Sequence, residues 1–148
     1  MADLTVTLTE SVTLEGEAKG STNTLTIAGI NQTLERIVSC PDSQTTTLVV
    51  FNSDVHGAAG AVDTEDTRYV RITNLESADL KLAIVGTSDN YQVNLKGGHS
   101  HVLSTTAAFL LGEEDTTPAF GTLEDVASIQ VRNTSGAAKK VELFIAGV

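Results

Sequence analysis

The sequence predicts an all-β chain: an antiparallel β-sandwich, jelly-roll-like, with few or no helices. Three observations carry that expectation. Apolar residues recur at alternate positions in many short segments, as on half-buried strands. About one residue in seven is threonine, and Val and Ile are frequent; branched β-carbons suit a pleated surface. Clusters of Gly, Asn, Asp and Ser interrupt the segments every ~8–12 residues, the spacing of sandwiches and barrels.

The elements follow in order. In residues 3–14, Leu4, Val6 and Leu8 fall on one face of an extended chain and Thr5, Thr7 and Thr9 on the other, and Val12 and Leu14 resume the apolar face. Turn residues fill 16–23, after which Leu25 and Ile27 alternate. Residues 34–40 fit either one helical turn or a strand; Ile37, Val38 and the following Pro41 favour a strand that stops. The apolar run 47–52 reads as a strand covered on both faces. An acidic loop at 55–66 precedes two paired strands, 69–75 and 79–86. Residues 91–98 alternate with Tyr91, Val93 and Leu95 on one face, and 99–103 continue beyond a glycine pair. Residues 104–126 lack period two, and two strands, 128–133 and 139–148, close the chain.

A chain of 148 residues is one domain, 1–148, able to bury about two-thirds of its unfolded surface. Residues 1–45 are the candidate amino-terminal arm or edge hairpin that contacts neighbouring subunits. Aromatic residues are only 4%, with no Trp, so the expected core is aliphatic. The core list is Leu80, Leu82, Ile84, Tyr91, Val93, Leu95, Ile129, Val131, Val141, Leu143 and Ile145. Two segments share a scheme of strand, Asn, small-residue turn, strand and Gly, which pairs Asn74 with Asn133. Either an old duplication or the same turn chemistry used twice accounts for it, since Asn tolerates a left-handed backbone.

The charge excludes one class of partner. A formal net charge of −10 with scattered cations lacks the basic stripe that nucleic acid requires. No stretch approaches the ~20 apolar residues of a membrane-spanning helix, and no signal peptide opens the chain. The single cysteine, Cys40, cannot form an intrachain disulfide and reads as a small buried side chain rather than a reactive thiol. Asn31-Gln32-Thr33 and Asn133-Thr134-Ser135 match the glycosylation pattern, but without a secretion signal they read as chance matches.

His99-Ser100-His101 is the sharpest chemical motif. Alternate strand residues share a face, so two imidazoles there suit one metal ion. The cupin family uses such a pair with a later Glu, but Thr105 and Thr106 stand in those positions, and Val93 stands where its glycine belongs. The third histidine, His56, is distant in sequence. The competing reading is two histidines on a solvent-facing or subunit-facing strand. Asp63, Glu65 and Asp66, or Glu113, Glu114 and Asp115, lack the alternating ligands and glycine of a calcium loop and read as solvated charge. There is no nucleophile elbow, phosphate-binding glycine loop or zinc-protease signature. Tyr69 and Tyr91 are too few for a carbohydrate-stacking face. No catalytic residue, cofactor site or small-molecule substrate is expected.

From Tyr69 onward, YVRITNLESADLKLAIVG, NYQVNLKGGHSHVLS and KKVELFIAGV resemble small virion structural proteins of tailed bacteriophages, especially phages of marine bacteria and cyanobacteria. The opening LTVTLTESVTLEGEAKGSTNTLTIAGINQTLERIV is similar to the start of the same group. The resemblance implies a jelly roll or related sandwich and a non-enzymatic role as a capsid decoration (cement) protein. It further implies a homotrimer on the outer capsid surface of the virion, made in the host cytoplasm, clamping the major capsid protein. The chain departs from the group at His99-Ser100-His101 and in the length of 104–126.

Two stretches are the expected assembly contacts. Leu4, Val6 and Leu8 suit either an edge strand or arm that pairs with a neighbour, or an ordinary internal strand. Ala107, Phe109, Leu110 and Leu111 form an apolar loop that either meets a subunit or tucks over the open end of the core. The alternatives are a tail- or fibre-associated receptor-binding module, and a metal-binding jelly roll using His99 and His101.

Overall fold

A computed structural model describes residues 1–54, 60–110 and 121–148, and every regular element among them is a strand. The chain begins with a long β-ribbon. In it β1 (Ala2–Thr9) pairs antiparallel with β4 (Thr22–Ile30), and β2 (Val12–Leu14) with β3 (Glu17–Lys19). The remainder is a two-sheet sandwich. One sheet has the order β11 (Ser100–Leu103), β8 (Thr67–Asn74), β13 (Lys139–Gly147), β5 (Gln32–Cys40). The other has the order β10 (Asn90–Leu95), β9 (Leu80–Val85), β12 (Ser128–Arg132), β6 (Thr45–Asn52), with the short β7 (Val62–Asp63) parallel to β6.

This wiring is that of a jelly roll, the form the resemblance implies within the sandwich or barrel class that the strand spacing suggests. Apart from β7, the sandwich strands pair first with last: β5 with β13, β6 with β12, β8 with β11, β9 with β10. One long antiparallel hairpin has therefore rolled up. The contacts β8 with β13 and β9 with β12 close the roll. The ambiguous segment 34–40 is a strand, held along its length by β13.

The core lies between the sheets and is aliphatic. Leu80, Leu82, Ile84, Leu95, Ile129, Val131, Val141, Leu143 and Ile145 are all buried. Tyr91 and Val93 sit on the edge strand β10 and are only half-buried, packed against that core. Leu48, Val70, Ile72, Leu103 and Val126 complete it. The run 47–52 is not covered on both faces. A bulge between Ile129 and Gln130 leaves Leu48 without a partner on β12. Leu48 and Val49 are both buried, while Val50 stays 45% exposed.

The two asparagines of the repeated scheme do the same work. Asn74 donates through Nδ2 to the carbonyls of Ala78 (2.8 Å) and Leu95 (3.1 Å), and its Oδ1 accepts Glu76 N–H. Asn133 donates to Ala137 (2.8 Å) and Cys40 (2.8 Å), and its Oδ1 accepts Ser135 N–H. The backbone repeats the match. Gly98 N–H donates to the Asn74 carbonyl and Asn74 N–H to that of His99; Ser43 N–H donates to the Asn133 carbonyl and Asn133 N–H to that of Gln44. Each asparagine closes the loop by which the chain crosses between sheets, from β8 to β9 or from β12 to β13, and ties it to the end of an outer strand. Both are fully buried, so Asn133 presents no amide to a glycosylating enzyme.

Candidate assembly surface

Among the described residues the ribbon is held at its root. Leu4, Val6 and Ile27 pack on Tyr69, Phe144 and Ala146, the outer face of the β11-β8-β13-β5 sheet. Tyr69 and Phe144 meet edge to face with centroids 6.1 Å apart. At the base, Asn31 N–H donates to the Gly147 carbonyl, where β4 gives way to β5. Beyond the root, every residue from Thr7 to Thr26 is exposed. Leu8, Val12, Leu14 and Leu25 are 61%, 55%, 63% and 50% exposed. The opposite face carries paired threonines: Thr7 with Thr24 and Thr9 with Thr22, hydroxyls 3.4 and 3.3 Å apart.

Two glycines shape the arm. Glu15 and Gly16 both take positive φ, 51° and 84°, in the two-residue turn joining β2 to β3, the primed geometry that tight hairpins favour. Gly20 sits at φ 121°, and a Cβ there would lie 2.0 Å from the Glu10 carbonyl oxygen. Gly20→Ala is therefore expected to open the ribbon between β1–β4 and β2–β3. Hydrogen exchange should show Glu10 N–H, which donates to the Ser21 carbonyl, losing protection. The sandwich should melt within about 0.5 kcal/mol of the parent, because the change lies on an exposed element away from the core.

Between the ribbon and the sheet runs a groove of about 630 Å³, walled by Val6, Leu8, Leu25 and Ile27 and floored by Tyr69 and Val102. Arg68 and Arg71 also line it. Arg71 is paired with Glu142 at 2.6 Å, whereas Arg68 bonds the Glu65 backbone carbonyl and faces no carboxylate partner among the described residues. The alternation of TRYVRITN announces an outward face of Tyr and Arg on β8. Only the fold shows that the ribbon crosses above it.

The other expected contact stretch lies elsewhere. Phe109 and Leu110 belong to the main core and not to the ribbon's cluster. Leu110 is 4% exposed and bridges to Glu124, while Phe109 packs on Tyr91 with centroids 6.4 Å apart. Ala107 is half-buried beside Thr106, whose hydroxyl donates to the Thr64 carbonyl. Leu111 lies outside the described residues, as do His56, Glu113, Glu114 and Asp115. Glu124 ties this segment to the β9–β10 turn by accepting Thr87 Oγ1–H and the Ser88 and Asp89 N–H groups. These bonds, Thr87's first, hold its carboxyl below the usual range.

His99 and His101 are engaged separately. His99 precedes β11, and its Nδ1 lies 2.9 Å from the Gly97 carbonyl oxygen. His101 Nε2 is bonded to Tyr91 Oη at 2.9 Å, linking the edge strands of the two sheets. No cluster of three His, Cys, Asp or Glu suited to a metal occurs among the described residues. Asp63 Oδ1 accepts the Glu65 and Asp66 N–H groups and forms a turn. Cys40 is buried, and burial pushes its thiol above the ordinary value. Tyr69 is buried and Tyr91 half-buried, so neither offers an open stacking face. Among the described residues no helix is long and apolar enough to cross a membrane.

Burial holds His101 below its usual value, which makes stability depend on pH in a defined direction. The unfolded chain takes up a proton first, near pH 6.5, so stability falls as pH drops through about 6.5 and levels off below the folded value. Melting at pH 7.5 and 5.5 should show this drop in the parent, and His101→Gln should make it smaller.

Neither a protein-family model nor a curated protein matches the chain. Among solved structures it is similar to a protein of Bacillus endospore appendages, described as a novel family of disulfide-linked pili. The identity is 8% and the TM-score 0.42, covering 84% of this chain and 96% of that one.

Proposed function

We propose that this chain is a non-enzymatic structural virion protein: a capsid decoration (cement) protein that binds the outer capsid surface as a homotrimer and stabilises the lattice of the major capsid protein. One observation carries the reading. A ribbon of more than twenty residues leaves the jelly roll with its apolar face uncovered beyond the root, at Leu8, Val12, Leu14 and Leu25. Exposed apolar residues gathered on one projecting element mark a surface meant for another chain. The strong negative charge and the likeness of YVRITNL and its neighbours to virion proteins of tailed phages support the same reading. The chemistry is that of area and multiplicity. A stable contact buries upward of ~1,000 Å², and a trimer engaging several coat subunits multiplies weak contacts into firm attachment. The protein would be made in the host cytoplasm and added to the finished shell.

The test is assembly. Purified chain is mixed with shells of the coat protein, and bound copies and shell melting are measured. Saturable binding with a raised shell melting temperature is expected, and Leu14→Asp should weaken it while the variant keeps a cooperative fold of its own. Shells that bind none of the chain, or that gain no stability from it, rule the reading out.

A further inference from the structure

We propose that the groove beneath the ribbon receives the β2–β3 hairpin tip of a second copy of this chain. The inference rests on the assembly reading above and names the partner of the arm. The groove is apolar, walled by Val6, Leu8, Leu25 and Ile27 over Tyr69 and Val102, and Val102 is 49% exposed. The tip offers a matching surface. Val12 and Leu14 lie two residues apart on one face of β2, both more than half exposed.

A chain's own tip is poorly placed to fill its own groove. The walls are residues 6–8 and 23–27 of the ribbon itself, and the tip lies farther out along the same ladder, roughly 20 Å from Leu8 to Leu14 at ~3.4 Å per residue. The tip is thus presented outward to another molecule. Charge favours the match. The hairpin carries Glu15 and Glu17 against Lys19, which is already paired with Glu17 at 2.6 Å, and Glu10 stands at its base. The groove offers Arg68, free of a carboxylate partner among the described residues. In a chain of net charge −10, a cationic group lining an apolar groove selects an acidic segment. The backbone adds a third element. Among the described strands β11 pairs only with β8, so its other edge is open at the groove's rim. Its four residues, Ser100–Leu103, match the three of β2, Val12–Leu14, for strand addition. A tip seated on a different patch of the next copy is a head-to-tail contact, which closes into a ring when the rotation permits.

Cysteine pairing tests the geometry. Val12→Cys and Val102→Cys are introduced together and separately in the full chain, with the buried Cys40 left in place. Under oxidation the double variant is expected to yield interchain disulfides, and each single variant few. Light scattering should show the parent as an oligomer and Leu14→Asp as a monomer that still melts cooperatively, without the parent's dependence of melting on concentration. A parent that is monomeric throughout overturns the proposal. So does Val12→Cys alone crosslinking as well as the double variant, since tips would then pair with each other. Shell binding is measured in parallel. Shells bound without the Val12–Val102 crosslink remove the partner and leave the decoration reading standing. The crosslink formed without shell binding removes the decoration reading and leaves the self-contact.

Discussion

Leu143→Asp is expected to leave the chain without a cooperative fold at 25 °C. Leu143 is fully buried on β13, the strand that pairs with both β5 and β8. It faces the core opposite Ile72, itself 0% exposed. Truncating such a leucine to alanine alone costs about 2–5 kcal/mol through lost transfer energy and the cavity left behind. An aspartate adds either a buried charge or a neutral carboxyl without a partner, each costing several kcal/mol more. The sum approaches the whole stability of a typical domain, about 5–15 kcal/mol. Near-native sheet signal with a sharp thermal transition would contradict this. Lys140→Asp, three residues earlier on the exposed face, supplies the contrast; it should melt within about 0.5 kcal/mol of the parent.

Asn133→Ala is expected to destabilise the fold by about 2–3 kcal/mol, and Asn133→Asp by more. Alanine leaves the buried Cys40 carbonyl without its 2.8 Å donor, leaves Ala137 O with the Ser135 hydroxyl as its donor, and frees Ser135 N–H. A buried polar group left unpaired costs about 1–3 kcal/mol, and the partners nearer solvent recover water. Aspartate keeps the acceptor for Ser135 N–H but turns an oxygen toward two carbonyls. At neutral pH that oxygen carries buried charge. The order parent, Ala, Asp in chemical denaturation separates a hydrogen-bonding role from simple volume, because Asp fills the site nearly as Asn does. Asn74 should show the same order, with Leu95 O as the buried acceptor. If Asp proves as stable as Asn at either position, the donor role is wrong.

The sandwich was largely legible because its signal is local. Leu80, Leu82 and Ile84, or Val141, Leu143 and Ile145, alternate over five residues, and that period puts them on one face whatever the strands around them do. The pairing of Asn74 with Asn133 was visible as a pattern of residues. Its meaning was not, because the acceptors Leu95 O and Cys40 O lie 21 and 93 positions away. Leu48 and Val49 defeated the period because a bulge depends on the neighbouring strand. Phe109 and Leu110 were open between subunit contact and core, and the backbone path that buries Leu110 against Glu124 has no periodic mark.

The same division holds for the assembly surface. Leu4, Val6, Leu8, Val12 and Leu14 announce an extended chain with one apolar face by spacing alone, and that much belongs to the sequence, since period two follows from the geometry of a strand. Only the folded molecule decides that Leu4 and Val6 settle on Tyr69 and Phe144 while Leu8, Val12 and Leu14 run on past the sheet into solvent. Whether a hydrophobic face is covered depends on what lies opposite it. That is a property of the three-dimensional path, assembled from residues far apart in the chain, and no local pattern encodes it.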